Sequence, residues 1–304
     1  MDDLRRMAVF AAVVRHRSMS AAARELGMST SAVSQQVRLL EQSGGVTLLH
    51  RSTRKLTLTE AGERFHVRCA ELVTAAEQAR AELSASRDTP SGELRLSATI
   101  GFGRHIEPAL GQLLRAHPQL RLSLLVDDAP IDLIASRIDL AIRYGPLSDS
   151  NWVARRLGAF DVWVCAAPAY LAQHSPISTP ADLQDHTWLG LNTSTLSLAL
   201  ANTLKRKSKS AESITLQLTP RVMSNNQLSV QQMCLSGMGL GLLGSIDVDA
   251  DIRSGRLVRL LPDWQLPPLD IWAVTPQRDA QPAKVRQSIA ALADYFLTLP
   301  GVVA

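Results

Sequence analysis

The stretch SAAARELGMSTSAVSQQVRLLE, Ser20 to Glu41, decides how the N-terminal part of this chain folds. Its apolar positions follow a helical period that is broken at Gly27, the residue type that tolerates the left-handed turn between two helices. Ser18 and Ser20 are suitable caps for the first of these helices, which ends at Leu26, and Ser29 caps the second. In the second helix Val33, Val37 and Leu40 fall at i, i+4 and i+7 and make one buried stripe. Ala21, Ala22 and Ala23 are small enough to let the two helices cross closely. The face opposite the stripe carries Ser31, Ser34, Gln35 and Arg38, a hydrogen-bonding surface with little salt-bridge partnering.

Outward from this pair, Leu4 to Val14 repeats apolar residues at helical spacing and predicts a third helix in front of it. Behind it, GVTLLHRSTRKLTL (45 to 58) alternates apolar and polar residues around the basic loop His50 to Lys55, as a two-stranded wing would. From Leu58 the period changes again: Leu58, Gly62, Phe65, Cys69, Leu72, Ala76, Ala79 and Leu83 are spaced 4,3,4,3,4,3,4, a heptad seam that needs a cover. Pairing with a second copy is the preferred reading of that seam, packing on the same chain the alternative. SRDTPSGE (86 to 93) then ends the helix with turn formers and marks a boundary.

Beyond it the pattern is α/β. LRLSAT (94 to 99), LRLSLLV (120 to 126), DLAIRY (139 to 144), FDVWVCAA (160 to 167) and DIWAVT (270 to 275) read as strands, with further strands near 188 to 191, 214 to 218 and 240 to 243. Helices are predicted over 104 to 115, 131 to 137, 227 to 235 and 283 to 297. Two α/β lobes joined by two crossing strands, with the C-terminus returning to the first lobe, fit this order.

Composition narrows the function classes. The 304 residues are 46% hydrophobic and 20% charged, ordinary for a globular chain of two or three compact units. No apolar run reaches a membrane span and the start lacks a signal-peptide pattern, so a cytoplasmic location is expected. The net charge of +4 sits entirely in residues 1 to 66, where ten Lys/Arg face six Asp/Glu; the remainder carries 22 of each sign. A basic head suits a polyanion partner, although an excess of four also arises by chance scatter. Cys69, Cys165 and Cys234 are distant and odd in number, which reads as buried reduced thiols, and the seven histidines show no ligand spacing, so no metal or other cofactor is expected. Gly239, Gly241 and Gly244 match a dinucleotide fingerprint formally, but a helical pattern precedes them and no helix is expected to open on them. KRKSK (205 to 209) reads as a solvated loop. Asp132 and Asp139 belong to no recognisable catalytic set, so enzymatic activity has no support.

The residues resemble the LysR-type transcriptional regulators. The similarity is strongest across Phe10 to Gly62, carried by FAAVVRHRSMSAAARELGMSTSAVSQQVRLLEQ and LLHRSTRKLTLTEAGE, and extends through DLAIRYG, VARRLG, AAPAYLAQH, SGMGLGLL and SGRLVRLLPDW. It implies a winged helix-turn-helix at 1–58, a linker and dimerisation helix at 59–88, and at 89–304 a two-lobed α/β effector domain resembling type 2 periplasmic binding proteins. Lobe I would comprise 89–161 and 269–304, and lobe II 162–268. The implied function is regulation of transcription by sequence-specific binding to an interrupted inverted repeat in double-stranded DNA near a promoter. The implied partners are a small-molecule effector between the lobes, further copies in a homodimer or homotetramer, and RNA polymerase. Three positions depart from the family pattern: Gly44, where Leu is usual, Thr47, where a basic residue is common, and Gly244, where proline is usual. A cavity or a looser wing junction is expected at Gly44.

In a helix-turn-helix the second helix enters the major groove and its N-terminal residues reach base edges. Thr30, Ser31, Ser34 and Gln35 are therefore expected at the bases, with Gln35 suited to adenine, while Ser29, Arg38, Arg51 and Arg54 suit the phosphate backbone or, for the two wing arginines, an adjacent minor groove. For the effector, ligands of open α/β sheets sit beyond the carboxyl ends of the strands. That rule points to Ser97, Thr99, Ile100, Gly101, Asp127, Asp128 and Arg143, and the resemblance adds Asn192, Ser194, Ser224 and Asn225. Helix N-termini and an arginine suit an organic anion; Asp127 and Asp128 oppose one unless they cap the following helix. A solute-binding protein or an enzyme on the same α/β frame are the alternatives, both disfavoured by the basic head.

Overall fold

A computed structural model describes residues 2–51, 56–128, 132–147, 152–203, 212–276 and 281–304. The chain divides into two compact units, Met1–Ala85 and Ser86–Ala304.

The first unit contains α1 (Asp2–His16), α2 (Met19–Leu26), α3 (Thr30–Gly44), β1 (Leu49–Arg51), β2 (Leu56–Leu58) and most of α4 (Glu60–Asp88). The serine caps form as their chemistry predicts: Ser18 Oγ accepts from the Ala21 N–H at 3.3 Å and Ser29 Oγ from the Ala32 N–H at 3.1 Å. Gly27 closes α2 at φ 62°, and the Met28 N–H returns to the Ala23 carbonyl. Val33, Val37 and Leu40 are buried together with Phe10, Val13, Ala22 and Ala23. The two short strands pair antiparallel in the register Leu49 with Leu58. Glu41 Oε1 accepts from the Leu48 and Leu49 N–H groups at 2.9 and 3.1 Å, tying the start of the wing to α3.

The heptad seam of α4 divides in two. Gly62 and Cys69 are buried, Gly62 against Leu48, and Phe65 packs on Phe10 of α1 with ring centroids 5.7 Å apart, so this half is covered by the same chain. That corrects the expectation that the whole seam faces a second copy. Ala76, Ala79 and Leu83 are exposed, Leu83 at 75%.

The second unit begins with β3 (Gly92–Ala98), α5 (Ile100–Ala116), β4 (Leu120–Val126), β5 (Leu140–Tyr144) and β6 (Val153–Phe160). It continues through β7 (Val162–Ala166), α6 (Pro168–Leu171), β8 (Trp188–Leu191), β9 (Leu196–Asn202), β10 (Ser213–Leu218), β11 (Val222–Ser224), α7 (Gln227–Leu235), β12 (Leu240–Gly244) and α8 (Ser245–Arg253). It ends with β13 (Val258–Arg259), β14 (Trp264–Gln265), β15 (Leu269–Thr275), α9 (Ala283–Thr298) and β16 (Val302–Val303). The first lobe is a six-stranded sheet ordered β16-β6-β15-β5-β3-β4, and the second a five-stranded sheet ordered β11-β8-β12-β7-β13. The chain crosses between them at Asp161 and again after Gln265. Gln265 Nε2 donates to Asp161 Oδ1 at 3.1 Å, so the two crossings are tied together.

Three expectations need correction. FDVWVCAA is two strands in different sheets, because the chain changes sheet at Asp161. The described part of 131 to 137 is a turn: Asp132 Oδ1 accepts from the Ile134 and Ala135 N–H groups and Arg137 adopts φ 52°, which stops a helix. A three-stranded antiparallel sheet, β10-β9-β14, was not expected, although β9 alternates buried Leu196, Leu198 and Leu200 with exposed Ser197 and Ala199.

Candidate functional site

Two places gather the candidate residues, one in each unit. On α3, residues 31, 34, 35 and 38 lie at i, i+3, i+4 and i+7 and so share one face of the helix. Thr30, Ser31, Gln35 and Arg38 are exposed and Ser34 is half-buried. Ser29 Oγ, besides capping, lies 3.0 Å from Ser31 Oγ. Thr30, Gln35 and Arg38 make no side-chain hydrogen bond or ion pair among the described residues, so their polar groups stay available to a partner. By contrast Arg15 and His16 are both engaged by Glu25, whose carboxyl they hold below the usual carboxylate range, His16 chiefly. Arg51 ends β1, but its side chain, with Arg54 and the KRKSK segment, lies outside the described residues.

In the second unit a cavity of about 380 Å³ opens between the two lobes. Thr99, Gly101 and Phe102 reach it from the start of α5, Tyr144 from the end of β5 and Phe160 from the end of β6. The second lobe adds Leu189 and Leu191 of β8, Gln227 at the start of α7, Leu242 of β12, and Ile246 and Asp247 in the first turn of α8. The cavity lies in the region to which the strand-end rule points, since β3, β5, β6, β8 and β12 all deliver their ends or flanking turns to it. Its lining is dominated by aliphatic and aromatic side chains. Thr99 Oγ1 is buried without a hydrogen-bond partner among the described residues. Burial, helped by Asp128 and Asp247, pushes the Tyr144 phenol above its ordinary pKa and keeps it protonated.

The charged groups near the cavity are paired within the protein. Asp247 accepts from Arg104, and His105 Nε2 stands 3.8 Å from the same carboxylate. Because Arg104 and His105 lie on α5 and Asp247 on α8, these contacts join the two lobes along one edge of the cavity. Arg143 donates from Nη2 to Ser97 Oγ at 2.9 Å and from Nη1 to its neighbour's carbonyl. Burial lowers the Arg143 pKa, and Asp128 and Asp127 work against that shift. Asp128 Oδ1 accepts the Ile100 N–H at 2.9 Å and so occupies the N-terminus of α5, the role that Thr99 does not take with its own hydroxyl.

Of the predicted effector residues, Thr99 and Gly101 line this cavity. Ser97, Ile100, Asp127 and Arg143 do not: Ser97 and Arg143 are bonded to each other, the Ile100 N–H is taken by Asp128, and Asp127 is exposed. Asn192, Ser194, Ser224 and Asn225 line a separate shallow depression at the ends of β8 and β11. Sequence reading missed Phe102, Tyr144, Phe160, Gln227 and Asp247. Gln227 and Asp247 were within reach of the same rule, each standing in the first turn of a helix that follows a strand. Gly244 ends β12 and α8 opens at Ser245, which corrects the expectation that no helix follows the GLGLLG run; the glycines nonetheless lie in or beside the strand and form no phosphate-cradling turn. At Gly244 a Cβ would approach the Phe160 ring to 2.9 Å, so the glycine lets that ring stand against the cavity floor.

The remaining titratable groups have structural explanations. Burial pushes the Cys69 thiol up to about 11 and the Cys234 thiol up to about 12, and raises Cys165 as well. Asp139 bridges the Arg95 N–H and Lys284 Nζ. Among the described residues no cluster of His, Cys, Asp and Glu could hold a metal, and no helix is long and apolar enough to cross a membrane.

Comparison with known proteins assigns both units. Residues 4–63 match the family described as bacterial regulatory helix-turn-helix protein, lysR family, and residues 87–297 match the LysR substrate binding domain. The HTH-type transcriptional regulator PtxR of Pseudomonas aeruginosa is 36% identical over 295 residues, 97% of this chain and 93% of the relative. The HTH-type transcriptional regulator DmlR of Escherichia coli strain K12 is 37% identical over 297 residues, 97% of this chain and 94% of the relative. Among solved structures, the full-length Vibrio cholerae virulence activator AphB, a member of the LTTR protein family, aligns with a TM-score of 0.72 at 28% identity, over 97% of this chain and 98% of that one.

Proposed function

Because the chain belongs to the LysR family of bacterial helix-turn-helix regulators, and so is a DNA-binding transcriptional regulator with an effector-binding domain rather than an enzyme, we propose a division of labour within it. The exposed face of α3 reads the operator, and the interlobe cavity takes the effector. Thr30, Ser31, Ser34 and Gln35 meet base edges, with Gln35 pairing adenine, while Ser29 and Arg38, and Arg51 and Arg54 of the wing, hold phosphates. The observation that carries this assignment is that Thr30, Gln35 and Arg38 are exposed and, among the described residues, unengaged on a helix whose other face buries Val33, Val37 and Leu40. Two recognition helices related by a dimer axis require an inverted repeat, and the exposed Ala76, Ala79 and Leu83 of α4 are the surface left for such an axis. Dimers or tetramers acting at a promoter, in the cytoplasm and beside RNA polymerase, complete this reading.

The test is selection from fragmented genomic DNA at moderate salt with wild type and Gln35→Ala. Wild type is expected to enrich one recurring inverted repeat, and the variant to lose about ten- to a hundredfold in affinity for it while keeping its circular dichroism spectrum. Retention of DNA without a shared sequence, vanishing as salt rises, would reduce the basic head to an unspecific polyanion binder.

A further inference from the structure

The chemistry of the interlobe cavity restricts what can occupy it, and the restriction runs against a carboxylate ligand. Three helices, α5, α7 and α8, begin at the cavity, and helix N-termini ordinarily attract anions. Here the chain's own groups cap two of them, and an acid already stands in the first turn of the third. Asp128 accepts the first N–H of α5, Asn226 Oδ1 accepts the Ser229 N–H at the start of α7, and Asp247 lies in the first turn of α8. Both nearby cations are committed too: Arg104 to Asp247, and Arg143 to Ser97 with Asp127 and Asp128 close by. Among the described residues Asp247 is the one charged residue in the lining itself, and it is an acid. The other polar groups that reach the space, Thr99, Tyr144, Ser197 and Gln227, are neutral. Thr99 Oγ1 is buried and unpartnered, and the Gln227 amide, on a residue only 9% exposed, makes no side-chain hydrogen bond among the described residues.

We infer that the effector is an uncharged, mainly apolar molecule of one or two rings carrying a hydroxyl or amide group, which Thr99 and Gln227 engage while Phe102, Phe160 and Leu189 cover its apolar body. The inference rests on the cavity being the effector site. An anionic ligand would have to leave water for an apolar lining and face the Asp247 carboxylate, with no cation among the described residues of the lining to compensate. A neutral one exchanges its hydration for apolar contact and satisfies a buried hydroxyl that is otherwise unpaired. At about 380 Å³ the space lies at the small end of ligand pockets. Contacts with Thr99 of the first lobe and Gln227 of the second would also let such a ligand sense both lobes.

A matched pair of probes isolates the charge. 2-Naphthamide and 2-naphthoate have the same shape and differ in the charge of one group, and both can be titrated into the full-length protein by calorimetry at neutral pH. The amide is expected to bind at one site per chain, at least about tenfold tighter than the acid. Asp247→Asn, which leaves Arg104 uncompensated, should shrink or reverse that ratio. Ala199→Trp, on the exposed face of β9 at the cavity wall, should abolish binding of both with an unchanged circular dichroism spectrum. Tighter binding of 2-naphthoate to wild type would overturn the ligand class and leave the cavity as the site. Saturable binding that Ala199→Trp does not touch, or no binding of either probe, would overturn the cavity assignment and the inference with it.

Discussion

Gly62 carries more of the first unit's architecture than its size suggests. It is buried on α4, and a Cβ built on it would stand 2.1 Å from the Leu48 carbonyl oxygen. Leu48 cannot retreat easily, since its N–H is held by Glu41 and its carbonyl accepts the Thr59 N–H. Gly62→Ala is therefore expected to lower the stability of this unit by roughly 3 kcal/mol in chemical denaturation, an overpacking cost that backbone must absorb. A second single-residue prediction concerns His186, which is buried beside Tyr170. The Tyr170 hydroxyl accepts the Thr187 N–H at 2.9 Å and lies 3.3 Å from His186 Nδ1. Burial depresses the His186 pKa and His174 adds to that, with Asp185 and Asp182 opposing. With the folded value below the unfolded one, the unfolded chain takes the proton first. Stability contributed by the neutral ring is thus present above roughly pH 6.5 and is lost as pH falls towards the folded value. Denaturation of His186→Gln at pH 8 and pH 5.5 should show a smaller loss on acidification than wild type; an equal loss would mean that other groups carry it.

At the level of elements, what could be read in advance was local. The polar face of α3 follows from a 3.6-residue period and two serine caps, all within Ser18 to Leu40, so no distant contact is needed to orient it. The cavity is different, because its walls come from segments as far apart as Thr99 and Leu269, and a strand-end rule names backbone positions without saying which side chains turn inward. Arg143 shows the difficulty: it lies where an anion anchor was expected, yet is bonded to Ser97 and does not line the cavity. The heptad seam shows a related one. Periodicity reports that α4 has an apolar stripe, and only packing reveals that the same chain covers its first half, Leu48 at Gly62 and Phe10 at Phe65. Where α1, α3 and α4 meet, Gly44 borders a depression of about 410 Å³ that also touches Met7, Leu40 and Phe65. The opening expected from glycine at this position is thus present, and no atom lies within 4 Å of where its Cβ would be. Gly44→Leu is expected to raise stability by about 1 kcal/mol, from helix propensity and partial burial, read as a shifted denaturant midpoint with an unchanged slope.

Over the whole molecule, the cores are as separate as the contacts. The residues packed around Phe10 all lie between Met7 and Val73, and the clusters of the lobes all lie beyond Leu94. The chain accordingly divides after Ala85, within the last turns of α4, into units of 85 and 219 residues. Two such cores should melt as two cooperative transitions, with enthalpies in a ratio of about 2.6 to 1 if heat uptake scales with residue number. A ligand that binds one folded unit raises the transition of that unit by mass action. In scanning calorimetry 2-naphthamide is expected to raise the larger transition and leave the smaller in place. Gly62→Ala should do the converse, lowering the smaller transition alone. If both perturbations instead moved one single transition, the two cores would be unfolding as a unit, and α4 would be transmitting stability between them rather than only joining them.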